Sequence, residues 1–289
     1  SQNHEVTVYD SLVYETSYRK NVNFILGDIR EYDKLNKILN DFDVVIWLAA
    51  LVGDGACAIN PELTHEINSE SIKNLVKNFD KRIVFLSTCS VYGAQDGILT
   101  EESETNPLSE YASSKLLGEE YLKDSNSIIF RLGTLFGISD QFSRVRLDLV
   151  VNILTAKALM EKKISVFGGD QWRPLLHVKD VANAIDETVD TSLNGTYNLH
   201  YKNYKIIDIA KKIKESARYN CLYCNADNEP AQKRAVSRLM VGVKPRSRSA
   251  NHAWSIVKKP IRPYASAPIY STYNGKMNIP NPAMYIWLA

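Results

Sequence analysis

The amino-acid sequence predicts an α/β fold with a doubly wound parallel sheet, because short apolar runs alternate with amphipathic stretches along its first half. The runs at residues 44–50 and 83–86 are continuously apolar, which is typical of strands covered on both faces. The stretches between them carry apolar residues at helical spacing. A sheet of this kind binds ligands beyond the carboxyl ends of its strands. Polar side chains that directly follow a strand are therefore candidate site residues.

The elements of the first half follow one another at short intervals. Alternating side chains predict a first strand at residues 5–10, and a loop follows at residues 11–20. The same criteria then predict a strand at 23–26, a helix at 31–41, a strand at 44–50, a helix at 67–79, a strand at 83–87, a helix at 109–122 and a strand at 128–131. We interpret residues 1–137 as one domain.

The regular alternation of short strands and helices changes after residue 137. We expect a smaller α/β lobe at residues 138–216, interleaved with the end of the first domain and suited to substrate binding. Its predicted elements are a helix at 147–160, a strand at 164–167, a helix at 178–189, a strand at 195–199 and a helix at 206–214. Residues 217–289 show no sustained period, so we predict no regular structure for this divergent segment.

Composition narrows the classes of partner. The 289 residues hold 35 Lys and Arg against 33 Asp and Glu, and the net charge of +2 is too small to indicate nucleic acid or an anionic membrane. No apolar run approaches the roughly 20 residues of a membrane span, and the first residues do not resemble a secretion signal, so we expect a cytoplasmic protein. Small molecules and other subunits are the expected partners.

The four cysteines are too few and too scattered to predict a disulfide framework. Cys221 and Cys224 have C-x-x-C spacing, which could supply half of a zinc site. Because no second pair or nearby histidine cluster completes four ligands, we predict no metal site.

Tyr111 and Lys115 form the strongest catalytic signal in the sequence. They are four positions apart in a predicted helix, so their side chains lie on one face. The pKa of a tyrosine is ordinarily about 10, and a neighbouring ammonium stabilises the phenolate and lowers it. The pair can then accept a proton near neutral pH. This spacing is common on its own, and a surface tyrosine beside a solvated lysine is the alternative.

The residues before this helix supply its context. The strand at residues 83–87 continues into STCSVYG, which places hydroxyl groups at the carboxyl end of a strand. Together, FLSTCSVYG and NPLSEYASSKLLGEE resemble the catalytic strand and helix of the extended short-chain dehydrogenase/reductase superfamily, in its branch of NAD-dependent nucleotide-sugar epimerases and dehydratases. The resemblance implies a Rossmann-like fold, with residues 1–137 as a partial NAD-binding domain.

The resemblance also implies roles for the catalytic residues. Tyr111 is the acid/base, Lys115 orients the nicotinamide ribose and tunes Tyr111, and Thr88 hydrogen-bonds the reacting sugar oxygen. Ser87 is their neighbour on the cofactor side.

Asp10 is the first cofactor candidate because it ends the strand VTVYD. A carboxylate there can accept both hydroxyls of the adenosine ribose and repels a 2′-phosphate, which favours NAD over NADP. An ordinary turn-forming aspartate is the alternative. The resemblance implies further cofactor contacts beside the adenine and under the adenosine ribose and pyrophosphate, from Asp28, Ile29, Leu48, Ala49 and Ala50.

The glycine-rich turn that cradles the pyrophosphate in this family is not found. In the family, a strand and a G-x-x-G-x-x-G turn precede the strand that here ends in Asp10. Gly53-Asp54-Gly55 follows a different strand and does not replace that turn. We therefore expect a sheet without its first strand, a truncated form of a longer protein, and poor or no binding of NAD by these 289 residues alone.

The substrate candidates lie mostly in the second half. Arg173 matches a family arginine that contacts the nucleotide diphosphate, and a guanidinium can bind phosphate oxygens in pairs. The resemblance places Arg146 and Asn152 near the same diphosphate, and Thr134 where the family often has an asparagine that contacts the sugar. His177 is expected to be structural.

Cys89 and Ser90 depart from the dehydratases of the family, which carry an Asp-Glu pair at these positions. Dehydration is therefore disfavoured, and Cys89 becomes a candidate sugar contact.

We accordingly expect an NAD-dependent 4-epimerase of a nucleoside-diphosphate sugar that acts through a transient 4-keto sugar, as a homodimer. The alternatives are a 4-dehydrogenase, a reductase or a dehydratase of the same family, or a non-catalytic binding or scaffold relative.

Overall fold

The structure, a computed structural model, describes residues 4–13, 17–138, 142, 145–166 and 168–216, together with the backbone of residues 285–288. The strands are β1 (Thr7–Asp10), β2 (Asn23–Leu26), β3 (Val44–Trp47), β4 (Arg82–Thr88), β5 (Ser127–Leu132), β6 (Thr134–Phe136), β7 (Trp172–His177), β8 (Gly195–Leu199), β9 (Lys202–Lys205) and β10 (Tyr285–Leu288). The helices are α1 (Tyr32–Leu39), α2 (Asp54–Ile59), α3 (Pro61–His65), α4 (Ser71–Asn78), α5 (Glu110–Leu122), α6 (Val150–Met160), α7 (Val178–Thr188) and α8 (Ile206–Ser216).

The larger sheet has seven strands in the order β2-β1-β10-β3-β4-β5-β8. Neighbouring strands are parallel except at β10, which pairs antiparallel with both β1 and β3. Alternate residues of β4 and β5 face opposite sides of the sheet. Phe85 and Ile129 pack with residues of α1, α4 and α5, whereas Val84 and Phe130 pack with Val181 of α7. The predicted doubly wound α/β fold is confirmed.

The central position of this sheet is filled by residues from the far end of the chain. In a doubly wound sheet of strand order 3-2-1-4-5-6, this position belongs to the first strand, which runs parallel to its neighbours. Here it holds β10, with Tyr285 opposite Asp10 and Ile286 opposite Trp47. The sequence predicts no regular structure after residue 217, whereas these four residues form a strand.

The smaller sheet has the order β6-β7-β9, and α6 and α8 pack against it around a separate apolar cluster. Residues 164–166 do not form the predicted strand, and Phe167 lies outside the described residues. Ile164 is instead buried in that cluster, and the pairing strand is β7, which contains Pro174. A short apolar run does not distinguish a strand from a buried connection, and a proline argues against a central strand, so periodicity was misleading here.

Two predicted helices begin differently from expectation. The helix predicted at 67–79 is a π-helical turn, Glu66–Glu70, followed by α4, and the helix predicted from residue 147 begins at Val150. Among the described residues, no helix has the length and apolar character required to cross a membrane. The domain bounds 1–137, 138–216 and 217–289 stay predictions.

Candidate active site

The start of α5 fixes the position of the catalytic pair. Ser109 caps the helix by accepting a hydrogen bond from the backbone N–H of Ala112 at 3.2 Å. Tyr111 and Lys115 then lie one turn apart on the same helix. Lys115 is 3% exposed, and its Nζ lies 4.1 Å from the ring centroid of Phe85 on β4. This cation–π contact holds the ammonium against the sheet instead of in solvent.

Thr88 ends β4 beside this pair. Its Oγ1 accepts a hydrogen bond from the N–H of Ser90 at 3.2 Å, which caps the 3-10 turn Cys89–Tyr92. The Thr88 side chain also acts to lower the pKa of Tyr111, against the larger effect of burial, so the hydroxyl groups at the carboxyl end of β4 and the start of α5 are close enough to interact. The structure thus brings the predicted Tyr111, Lys115 and Thr88 together.

Asn68 supports this corner from the π-helical turn that precedes α4. Its side chain accepts a hydrogen bond from the N–H of Leu51 at 2.7 Å and donates to the carbonyl of Leu51 at 3.0 Å. It also donates to Ser114 Oγ at 2.9 Å. The connection after β3 is therefore fixed to the catalytic helix through one buried amide.

Burial dominates the acid/base properties of the pair. The ring of Tyr111 is partly exposed, but burial of its hydroxyl, together with the nearby Cys57 and Cys89, raises the pKa of Tyr111 well above 10. Burial also lowers the pKa of Lys115 to about 7, against the opposing effect of the Glu119 carboxylate. The expected lowering of the Tyr111 pKa is not found, because the largest influence on it is desolvation of the phenolate, which raises the pKa.

Two thiols flank the catalytic tyrosine. Burial raises the pKa of Cys57 to about 11 and that of Cys89 to about 12, so both are protonated at neutral pH. The Cys57 thiol donates to the carbonyl of Leu51 at 3.5 Å. Cys89 is 4% exposed, and the guanidinium of Arg173 acts on it electrostatically, which places Arg173 near the catalytic strand.

Behind the catalytic residues lies a chain of buried polar side chains that sequence reasoning did not predict. Arg131 on β5 forms an ion pair with Glu119 on α5 at 2.6 Å, and both side chains are less than a tenth exposed. Ser87 donates a hydrogen bond from its hydroxyl group to Glu119, so this predicted cofactor residue belongs to the buried group of polar side chains. The spacing of Glu119, four residues after Lys115, was the available signal.

The nucleotide-side candidates lie at the carboxyl ends of β1, β2 and β3. Asp10 is 2% exposed, and its carboxylate accepts a hydrogen bond from the N–H of Leu12 at 2.6 Å. Burial alone would raise the pKa of Asp28, but two hydrogen bonds from the Arg30 guanidinium, at 3.0 and 2.6 Å, lower it below its usual value. Ile29 is buried next to it.

The connection after β3 carries the remaining nucleotide candidates. Leu48 is half-buried, and Ala49 and Ala50 are buried. Because β10 lies between β1 and β3, these residues are separated from Asp10 by one strand.

The substrate candidates of the second half differ in their surroundings. Arg173 is 4% exposed and donates to the carbonyl of Trp172 at 3.0 Å. Thr134 begins β6 and lies opposite Leu175 of β7, so it belongs to the strand next to Arg173. Arg146 is partly exposed and forms two hydrogen bonds with Asp148, at 2.8 and 2.5 Å.

Asn152 is 1% exposed and acts on the backbone. Its side chain accepts from the N–H of Gly137 at 3.0 Å and donates to the carbonyl of Arg146 at 2.9 Å. Asn152 therefore holds the segment that carries Arg146. His177 accepts a hydrogen bond from the N–H of Lys179 at 3.2 Å and caps α7, in keeping with a structural role.

Within the described residues, no cluster of three or more His, Cys, Asp and Glu side chains could hold a metal ion. Cys221 and Cys224 lie outside them.

Comparison with protein families gives one match over most of the chain. A model described as "NAD dependent epimerase/dehydratase family" matches residues 1–201. A putative UDP-glucose 4-epimerase of Methanocaldococcus jannaschii is 32% identical over 200 residues, which are 63% of this chain and 64% of that protein. A probable low-salt glycan biosynthesis reductase of Haloferax volcanii is 29% identical over 181 residues, 60% of this chain and 59% of that protein. The chain thus spans less than two thirds of the length of these relatives.

Solved structures share the fold. A UDP-glucose 4-epimerase of Thermotoga maritima with UDP-glucose has a TM-score of 0.67 at 20% identity, covering 81% of each chain. A UDP-glucose 4-epimerase of Thermus thermophilus in complex with NAD has a TM-score of 0.64 at 23% identity, covering 74% of this chain and 76% of that one.

Proposed function

The chain belongs to the NAD dependent epimerase/dehydratase family, and from that premise we propose that it inverts C4 of a nucleoside-diphosphate sugar through a transient 4-keto sugar. The observation that carries this proposal is the arrangement of the Tyr111 and Thr88 hydroxyl groups, which are close enough to interact, beside the buried Lys115. It joins a proton-transfer group, a hydroxyl that can hold the sugar oxygen and a cation at the carboxyl end of one strand.

Tyr111 is proposed to take the proton of the sugar's C4 hydroxyl and later to return it. Since burial raises the pKa of Tyr111, the free protein holds a phenol, and the phenolate needs positive charge nearby. Lys115 in its ammonium form is one source of that charge, and a cationic ligand is another. Thr88 would hydrogen-bond the same sugar oxygen and keep it within reach of Tyr111.

NAD is the proposed cofactor, and when bound it supplies the hydride acceptor and donor. Asp10, at the buried end of β1, suits the adenosine ribose, and Asp28 and Ile29 follow the neighbouring strand β2. Leu48, Ala49 and Ala50 follow β3, which lies beyond β10 on the other side of β1. The strand next to the expected pyrophosphate position fits NAD binding less well. Because β10 is antiparallel, its carboxyl end lies at the opposite edge, so it cannot lead into a helix at this edge.

The residues after Thr88 favour epimerisation over dehydration. An elimination requires a group that removes a proton from carbon, and the pKa of Cys89 is raised to about 12 by burial, so its thiol is a poor base at neutral pH. Ser90 hydrogen-bonds with Thr88 at 3.2 Å and supplies no carboxylate. Arg173, buried beside Cys89, is the proposed contact for the diphosphate, with Arg146 and Thr134 as further substrate contacts.

A dehydrogenase or reductase that uses the same Tyr111, Lys115 and Thr88 is the second candidate, and the similarity to a probable reductase favours retaining it. A homodimer and a cytoplasmic location stay predictions.

The deciding experiment incubates the protein with NAD and UDP-glucose, measures NADH by its absorbance, and separates the sugar products by chromatography. Epimerisation gives UDP-galactose without net NADH. NADH that rises in step with substrate loss would instead establish a dehydrogenase. Binding of neither NAD nor any nucleotide sugar, tested by calorimetry, would favour the non-catalytic alternative.

A further inference from the structure

The buried ion pair between Glu119 and Arg131 is hydrogen-bonded to Ser87 and Tyr92, and Glu119 acts electrostatically on Lys115. Arg131 donates to the Glu119 carboxylate from Nε at 3.1 Å and from Nη2 at 2.6 Å. Its remaining nitrogen, Nη1, donates to the hydroxyl of Tyr92 at 3.0 Å. Such a pair is costly to bury and need not stabilise the fold by itself. Its connections therefore indicate what it does.

The pair holds both ends of the segment that contains Thr88. Ser87, directly before Thr88, donates its hydroxyl proton to Glu119. Tyr92, at the end of the 3-10 turn after Thr88, accepts from Arg131 and donates to Asn198 of β8 at 2.7 Å. The backbone on either side of Thr88 is thus fixed to one ion pair.

Glu119 also lies on the same face of α5 as Lys115. Glu119 follows Lys115 by one helical turn, and its carboxylate is the largest influence that opposes the effect of burial on Lys115. The other titratable group that acts on Lys115 is Cys57 on α2, whose thiol is protonated at neutral pH. Tyr111 precedes Lys115 by one turn and is a neutral phenol in the free protein. Among the residues that the structure describes, Glu119 is therefore the main charged group that acts on Lys115.

We propose that Glu119 and Arg131 are positioning residues that hold Thr88 against Tyr111 and set the charge carried by Lys115. Their contribution to catalysis rests on the proposed function, whereas their effect on the charge of Lys115 is a property of the free protein. Arg131 pairs with Glu119 and so offsets part of the negative charge that the carboxylate presents to Lys115.

The signs make the proposal testable without substrate. Glu119→Gln removes the carboxylate and leaves the positive charge of the guanidinium unneutralised, which favours the neutral form of Lys115. Arg131→Gln removes the guanidinium and leaves the carboxylate, which favours the ammonium form. A residue that only stabilised the fold would not shift the titration of Lys115 in opposite directions in two variants.

The measurement is a pH titration of the full chain carrying ¹³Cε-labelled lysine, followed by NMR, with the Lys115 signal identified by its loss in Lys115→Arg. The parent midpoint is expected near its pKa of about 7. We expect Glu119→Gln to lower the midpoint, and Arg131→Gln to raise it, each by about one pH unit, a tenfold change in the protonation equilibrium. Unchanged midpoints, or shifts in the same direction, would overturn the proposal.

Arg82→Gln is the matched control. Arg82 is a 6% exposed arginine at the start of β4, the strand that ends at Thr88, and it donates to Asn194 at 2.7 Å and to the carbonyl of Leu193 at 2.6 Å, which are neutral groups. Its loss, like that of Arg131, should lower the melting temperature, but it should leave the Lys115 midpoint in place. If either glutamine variant fails to fold, Glu119→Asp and Arg131→Lys keep the charges and should keep the midpoint near that of the parent.

Turnover supplies the second measurement. If the protein epimerises UDP-glucose, the pH profile of kcat/KM should shift in the direction of the Lys115 midpoint in each variant, while KM changes less than kcat. If the parent shows no turnover, the proposed function fails, yet opposite NMR shifts would still establish the charge control of Lys115.

Discussion

The large sheet is assembled differently on the two sides of β3. On one side, which we call the catalytic half, β3, β4, β5 and β8 run parallel, and their order in the sheet is their order along the chain. On the other side, the nucleotide half, β10 comes from the far end of the chain, lies between β1 and β3, and runs antiparallel to both. Paired strands of the catalytic half are much closer in sequence than β1 (Thr7–Asp10) and β10 (Tyr285–Leu288), and the entropic cost of loop closure grows with that separation.

The two halves also differ in how their polar side chains are connected and buried. In the catalytic half, the side chains of Ser87, Glu119, Arg131 and Tyr92 form one connected network behind the reacting groups. In the nucleotide half, the Arg30–Asp28 pair is partly exposed and lies at the end of β2. A connected buried network fixes geometry more strictly than a partly exposed pair does. We therefore expect the catalytic half to be the more rigid part.

The largest effect is expected from Tyr111→Phe, which removes the proton-transfer group of the catalytic half. Turnover should fall about 100- to 10,000-fold, the usual contribution of a general acid/base. The assay is UDP-glucose conversion under saturating NAD, with calorimetry to show that NAD affinity is retained. A variant within tenfold of the parent would remove Tyr111 from its proposed role.

A large local effect is expected from Trp287→Pro, which removes a backbone donor in β10 opposite Val8 and Ile46. The lost ladder bond leaves an acceptor without its partner and costs about 1–3 kcal/mol. Hydrogen exchange should accelerate up to about 100-fold in β1 and β2, and remain slow in β4 and β5. Trp287→Val keeps the donor and is the control. Equal acceleration in both halves would mean that they unfold as one unit.

A smaller effect is expected from Gly27→Ala at the end of β2. A Cβ atom there would lie 2.2 Å from the ring of Tyr9, which is fully buried and donates to the carbonyl of Asp28 at 3.0 Å. We expect the free energy of unfolding to fall by at least about 1 kcal/mol, and NAD binding to weaken. Gly55→Ala is the control because nothing lies within 4 Å of its added Cβ. Unchanged stability in urea titrations of Gly27→Ala would show that Tyr9 can move aside.

The smallest effect is expected in the pH dependence of stability. The pKa of Lys115 is about 7 in the folded protein and about 10.4 when unfolded, so the unfolded state binds more protons between these values. Stability from Lys115 therefore rises with pH above about 7, by less than about 1.4 kcal/mol per pH unit. Cys57 and Cys89, whose folded pKa values are raised, oppose this rise above about pH 8.5.

Lys115→Met should remove this rise and stabilise the fold at pH 6, at the expense of activity. Thermal melts between pH 6 and 8.5 measure it, with the exposed Lys73→Met as a control of equal charge change. An unchanged slope in Lys115→Met would contradict the burial of a titrating ammonium.

The sequence predicted the catalytic half closely because its signals are local. The apolar run of β4, the hydroxyls that follow it and the helical spacing of Tyr111 and Lys115 are all visible within a few tens of residues. Their meeting at the carboxyl end of one strand follows from the rules of parallel sheets.

The sequence by itself determined the α/β class, the order of most elements and the residues that end the strands, because periodicity and strand-terminal chemistry are properties of short segments. Tertiary structure alone decided that residues 285–288 occupy the centre of the sheet, that Glu119 pairs with Arg131, and that burial sets the pKa values of Tyr111 and Lys115. Strand pairing, ion pairing and desolvation depend on which distant segments come together, and no local pattern records that choice.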